Sequence, residues 1–89
     1  MIKRLSIQVT GLVQGVFFRH TAKQTAASLG LTGFVRNEGD GSVQLEVQGE
    51  ELALQKFQEW CQMGSSSSQV ELVQAGEIPL KEDEQNFSM

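Results

Sequence analysis

A single cysteine, Cys61, leaves the chain without an internal disulfide. Its fold must therefore rest on packing and hydrogen bonds, as suits a reducing compartment. A single histidine, His20, leaves no His pair at metal-ligand spacing. Basic residues are scarce as well. Seven Lys and Arg against eleven Asp and Glu give a net charge of −4, which argues against a general binder of nucleic-acid backbones. No apolar run approaches the roughly 18 residues of a membrane-spanning helix. The opening MIKRLSIQV passes directly into strand pattern, with no apolar segment behind its basic residues, so a cytoplasmic location is expected. Charges such as Lys3, Arg4, Lys23 and Lys56 read as solvated surface groups, with Arg19 the exception.

What remains is an ordinary globular composition, 39% hydrophobic and 20% charged, over 89 residues. That length supports one domain, residues 1–89, with one core. Leu5, Ile7 and Val9 alternate with Ser6, Gln8 and Thr10, the period of a half-buried strand. From His20 to Leu29, Ala22, Ala26 and Leu29 share a helical face, and Gly30 is placed to end the helix. Phe34 and Val35 predict a short second strand, and Asn37 to Gly41 a turn. Val43, Leu45 and Val47 mark a third strand. Glu50 and Glu51 open a second helix whose Ala53, Phe57, Trp60 and Cys61 form one face, with Cys61 a packed residue. Gly64 and the serines from Ser65 to Ser68 predict a polar, flexible connection to a fourth strand near Val70. Gly76 and Pro79 interrupt the pattern beyond it, and KEDEQN reads as a solvated acidic run before Phe87. The order strand, helix, strand, strand, helix, strand predicts an α+β, ferredoxin-like sandwich with a mostly antiparallel sheet. That arrangement serves many functions, so function has to be read from the loops.

Two loops carry chemistry. GLVQGVFFR, residues 11–19, joins a strand to a helix, and backbone N–H groups in such a loop can converge on an anion. Two glycines ahead of a helix also fit a plain tight turn. Arg19 adds a permanent cation with a planar fork of donors suited to phosphate oxygens. Asn37, at the end of the second strand, offers a neutral amide that can orient a water molecule. No Gly-Lys-Ser/Thr follows the glycines and no three-glycine dinucleotide pattern occurs, which argues against ATP or NAD as a cofactor. His20 lacks a neighbouring nucleophile or second metal ligand in sequence and reads as a surface or capping residue.

Taken with GFVRNEGDGSVQLEVQG at residues 33–49, the VQGVFFR string resembles both signature segments of the acylphosphatases. The resemblance runs from the first strand through the second helix. It implies a metal-free, cofactor-free hydrolase that cleaves small acyl phosphates to a carboxylate and inorganic phosphate and works as a monomer. It further implies that Gln14, Gly15, Val16, Phe17, Phe18 and Arg19 hold the substrate phosphate, with Arg19 and Asn37 as catalytic residues. Family members often carry threonine where this chain has Ala22, and prolines where it has its serine run. Two other readings stay open. One is a noncatalytic ferredoxin-like ligand- or RNA-binding module, disfavoured by Gln44, Glu46 and Gln48 on the polar face of the third strand. The other is a carbamoyl-phosphate domain like that of a hydrogenase-maturation protein, usually part of a much longer chain.

Overall fold

The computed structural model describes residues 1–89. Its elements run β1 (Ile2–Leu12), α1 (Phe18–Ser28), β2 (Thr32–Asn37), β3 (Val43–Glu50), α2 (Glu51–Met63), β4 (Gln69–Ile78) and β5 (Phe87–Ser88). The strands form one sheet in the order β4-β1-β3-β2-β5. All neighbours are antiparallel except β2 and β5, which are parallel. The predicted ferredoxin-like order is therefore present, with a short fifth strand added at one edge.

The alternation read in the sequence decides which face is buried. Ile7, Val9, Val43, Leu45, Val47 and Val35 are all at most 1% exposed and form the helix-facing side of the sheet. Phe18, Ala22 and Ala26 of α1 and Leu54, Phe57 and Cys61 of α2 complete the core from the other side. Leu54 lies at the centre of the α2 stripe, while Ala53 and Trp60, taken as its members from sequence, pack at its margin. Burial drives the Cys61 thiol pKa up to about 12, which makes it an inert core residue. Helix α1 begins at Phe18, two residues before the expected start at His20, and ends as expected beside Gly30, where the Leu31 N–H returns to the Ala26 carbonyl at 2.9 Å.

The opposite face of the sheet departs most from expectation. Arg4, expected at the surface, is 1% exposed. Its Nη1 and Nη2 donate to the two Glu84 carboxylate oxygens at 2.8 and 3.2 Å, and its Nε donates to Glu46 at 2.9 Å. Gln48 brackets the backbone of Lys81, accepting from its N–H at 2.9 Å and donating to its carbonyl at 3.1 Å. Strand β4 continues through Gly76 to Ile78, after which residues 79–86 run as a strap over the polar face of β1, β3 and β2. The acidic run is thus not simply solvated: Glu84 is one of its anchors. At the end of the strap, Phe87 enters the core opposite Gly33, its ring 6.0 Å from Phe57.

No helix is long and apolar enough to cross a membrane.

Candidate active site

Strand β1 ends in a bulge between Thr10 and Gly11. Gly11 has φ 127°, and a Cβ there would run into the Gln69 carbonyl of β4, so glycine lets the two strands stay paired as the chain turns. The loop that follows carries left-handed residues at alternate positions, Gly15 with φ 72° and Phe17 with φ 61°. Such alternation turns successive N–H groups toward one concavity. The backbone N–H groups of Val13, Gln14, Gly15, Val16 and Phe17 have no hydrogen-bond partner in the chain. The first turn of α1, starting at Phe18, adds further N–H groups that have no acceptor within the helix. Together with the N-terminal end of the helix dipole, they make a locus of positive potential on an otherwise acidic protein.

Three contacts hold this loop from behind. Gln14 Nε2 donates to the carbonyls of Glu38 at 2.8 Å and Ser42 at 2.9 Å, tying the loop to the β2–β3 turn. The Phe17 carbonyl accepts from both the N–H and the hydroxyl of Thr21 at 3.0 and 2.9 Å. The third contact was not legible in sequence. Ser65, 7% exposed, donates its hydroxyl to the Val16 carbonyl at 2.8 Å. Peptide planarity then directs the N–H of Phe17 to the opposite side from Ser65. The serine run, expected to be a flexible connection, contains this buried anchor, and Ser68 braces it through a hydrogen bond to the Ser65 carbonyl at 2.8 Å. Ser65 opens the run directly after Gly64, and its side chain is chemically identical to those of the three exposed or half-exposed serines that follow.

A cavity of about 420 Å3 opens in front of the loop, lined by Val13, Gly15, Phe17, Phe18, Arg19, His20, Asn37 and Met89. Arg19 and Asn37, 18 positions apart in sequence, thus share one wall-to-wall space. Arg19 is exposed and pairs with no carboxylate, in contrast to Lys3, Arg4 and Arg36. Asn37, carried to the site by the last residue of β2, is also exposed. The turn beyond it is fixed by Asp40, whose carboxylate accepts from the Ser42 N–H and hydroxyl at 2.9 and 2.6 Å, bonds that hold the Asp40 pKa below its ordinary value. Of the six residues expected at the phosphate, Gly15, Phe17, Phe18 and Arg19 line the cavity, while Gln14 and Val16 are not among its lining residues and brace the loop through the contacts above. Phe18 is 1% exposed and belongs chiefly to the core. His20 lies at the surface and lines the cavity, but α1 has no side-chain cap, so the capping alternative does not hold.

The α+β sandwich thus gathers unpartnered N–H groups, a carboxylate-free arginine and an amide around one cavity, donors of the kind that suit an oxyanion. The chain belongs to the acylphosphatase family, whose model matches residues 5–89. An acylphosphatase of Marinobacter nauticus is 42% identical over 86 residues, spanning 97% of this chain and 94% of its own. The crystal structure of acylphosphatase from Bacillus subtilis superposes with a TM-score of 0.93 at 37% identity, covering all of this chain and 98% of that one. A similar domain occurs within full-length HypF in its phosphate- and nucleotide-bound form, at a TM-score of 0.90 and 28% identity, where the match covers 99% of this chain but 12% of that chain.

Proposed function

We propose that this protein hydrolyses acyl phosphates at the loop of residues 13–19. The observation that carries the reading is the run of unpartnered N–H groups from Val13 to Phe17, of which Val13, Gly15 and Phe17 line the cavity, beside an arginine with no carboxylate partner that lines it together with Asn37. A transferring phosphoryl group spreads negative charge over its equatorial oxygens, and fixed donors in a sheltered site stabilise that charge without reorganising. Here the N–H groups from Gln14 to Arg19 and the Arg19 guanidinium take those oxygens. Asn37 aims a water at phosphorus. The water oxygen forms the new P–O bond as the bond from phosphorus to the acyl oxygen breaks, and the carboxylate leaves with the electron pair. Because a carboxylate is a good leaving group, no general acid is required, and the proton of the attacking water passes to a phosphate oxygen or to solvent. Arg19 and the backbone supply the positive field, so the reaction needs no metal. In this reading the protein acts as a monomer, and the unpaired buried Cys61 suits the cytoplasm.

Release of phosphate from acetyl phosphate, with spontaneous hydrolysis subtracted, tests the reaction against an ordinary phosphomonoester as control. Turnover of the anhydride alone, insensitive to EDTA and competitively inhibited by inorganic phosphate, is expected. Asn37→Ala should lose about a hundredfold in kcat through misplaced water while still binding phosphate. Equal turnover of the phosphomonoester, or full activity in Asn37→Ala, would count against this mechanism.

A further inference from the structure

Two exposed apolar side chains stand at the same cavity. Phe17 is 78% exposed and Met89 58% exposed, while the other apolar lining residues, Val13 and Phe18, are 1% exposed and already used by the core. The cavity is within the range of about 300–1,000 Å3 typical of small-molecule sites, and a phosphoryl group fills only a minor part of it. Its lining brings the loop residues and Arg19 together with an exposed phenylalanine and an exposed methionine.

The backbone of Phe17 makes its side chain conspicuous. At φ 61° and ψ 19° it occupies the left-handed region, which costs a non-glycine residue about 1–2 kcal/mol. Glycine would supply the same turn at less cost, and a phenyl ring this exposed contributes little to the core. The two hydrogen bonds from Thr21 to the Phe17 carbonyl hold that conformation. Beneath it, Phe18 fills the available core position against Trp60, with ring centroids 5.0 Å apart, so the Phe17 ring has no place there. Met89 reaches the cavity from the end of β5. Phe87 and Ser88 pair with Gly33 and Phe34, so Met89 follows one step further along β2 toward Asn37. The buried Phe87 and the Arg4–Glu84 pair fix that path.

We propose that Phe17 and Met89 form a subsite for the acyl group and that it selects acyl phosphates with an apolar, aromatic acyl moiety over small or polar ones. This rests on the reading of the site as an acyl-phosphate hydrolase. With the phosphoryl group in the loop, the acyl group projects toward this wall, where an aromatic ring can pack on the Phe17 face and the Met89 sulfur. The contact is the same before and during P–O cleavage, so its benefit falls mainly on KM.

The test is the ratio of kcat/KM for benzoyl phosphate to that for acetyl phosphate in wild type, Phe17→Gly and Met89→Ala, with butyryl phosphate to separate aromatic packing from size. The wild-type ratio should favour benzoyl phosphate. Phe17→Gly should lower it about tenfold, chiefly through KM, and Met89→Ala should lower it by less. Because the ratio is taken within each enzyme, any general damage to the loop cancels. Cleavage of both anhydrides with the ratio unmoved in both variants would overturn the subsite and leave the reaction standing. A wild type that prefers acetyl or carbamoyl phosphate to benzoyl phosphate would overturn it as well. No enzymatic cleavage of any anhydride would remove the reaction itself.

Discussion

Arg4 and Arg19 sit on opposite sides of the same small sheet and have opposite surroundings. Arg4 is 1% exposed, and two carboxylates and an amide satisfy it. Arg19 is exposed, has no carboxylate partner, and faces a cavity bordered by unpartnered N–H groups. A guanidinium whose donors are all engaged holds structure together. One whose donors are free can still receive a ligand, and the backbone around Arg19 is arranged in the same sense. Charge at one region is neutralised within the chain; at the other it is left for an anion to neutralise.

Exchanging the two arginines for glutamine tests this contrast most severely. Arg19→Gln should lower kcat/KM for acyl phosphates by about a thousandfold, the scale of losing a donor that meets developing oxyanion charge. Its melting temperature in phosphate-free buffer should stay close to wild type, since no internal pair is broken. Arg4→Gln should do the reverse. Removing one partner of a buried ion pair strands the other, and a loss of about 2–4 kcal/mol is expected because Glu46 and Glu84 keep some solvent contact. For a domain of this size that corresponds to a fall of roughly 10–25 °C in Tm, with kcat of the folded protein changing far less than in Arg19→Gln. A stable but inactive Arg4→Gln, or a severely destabilised Arg19→Gln, would erase the distinction.

Acid should weaken one region through a carboxylate. Hydrogen bonding by Arg4, first, and then by the Thr32 hydroxyl, with the nearby charge of Lys81, holds the Glu84 pKa below its ordinary 4.5 despite partial burial. A depressed folded pKa contributes stability that is fully present above about pH 4.5 and is lost as the pH falls through the lower folded value. The Tm gap between wild type and Glu84→Gln should therefore be widest near neutrality and narrow in acid. A gap that persists at pH 3 would mean that the pair contributes through shape rather than charge.

The smallest effect belongs to Ser65, which joins the serine connection to the loop. Ser65→Ala leaves the Val16 carbonyl without its partner and should cost about 1 kcal/mol in stability and roughly tenfold in phosphate affinity and kcat together, while Ser65→Thr should restore both. Recovery of stability without recovery of kcat in Ser65→Thr would limit Ser65 to support of the fold.

Much of the molecule was determined by local pattern. Alternation in Leu5–Val9 and Val43–Val47, the helical faces of α1 and α2, and the two loop strings set the ferredoxin-like order and nominated Arg19 and Asn37, because side-chain period and loop chemistry are properties of neighbouring residues. The tertiary structure decided what depends on residues far apart in the chain. Arg4 and Lys23 look alike in sequence, and only the strap that places Glu84 over β1 buries the one and leaves the other in water. Ser65 is one of four consecutive serines until the fold sets it behind Val16. Phe17 and Phe18 are adjacent phenylalanines, yet a left-handed backbone sends one ring to the cavity and the next into the core. Met89 reaches the same cavity only because β5 lies parallel to β2. In each case the residue's chemistry was visible in the sequence, whereas its burial and its partner depended on long-range packing that no local pattern encodes.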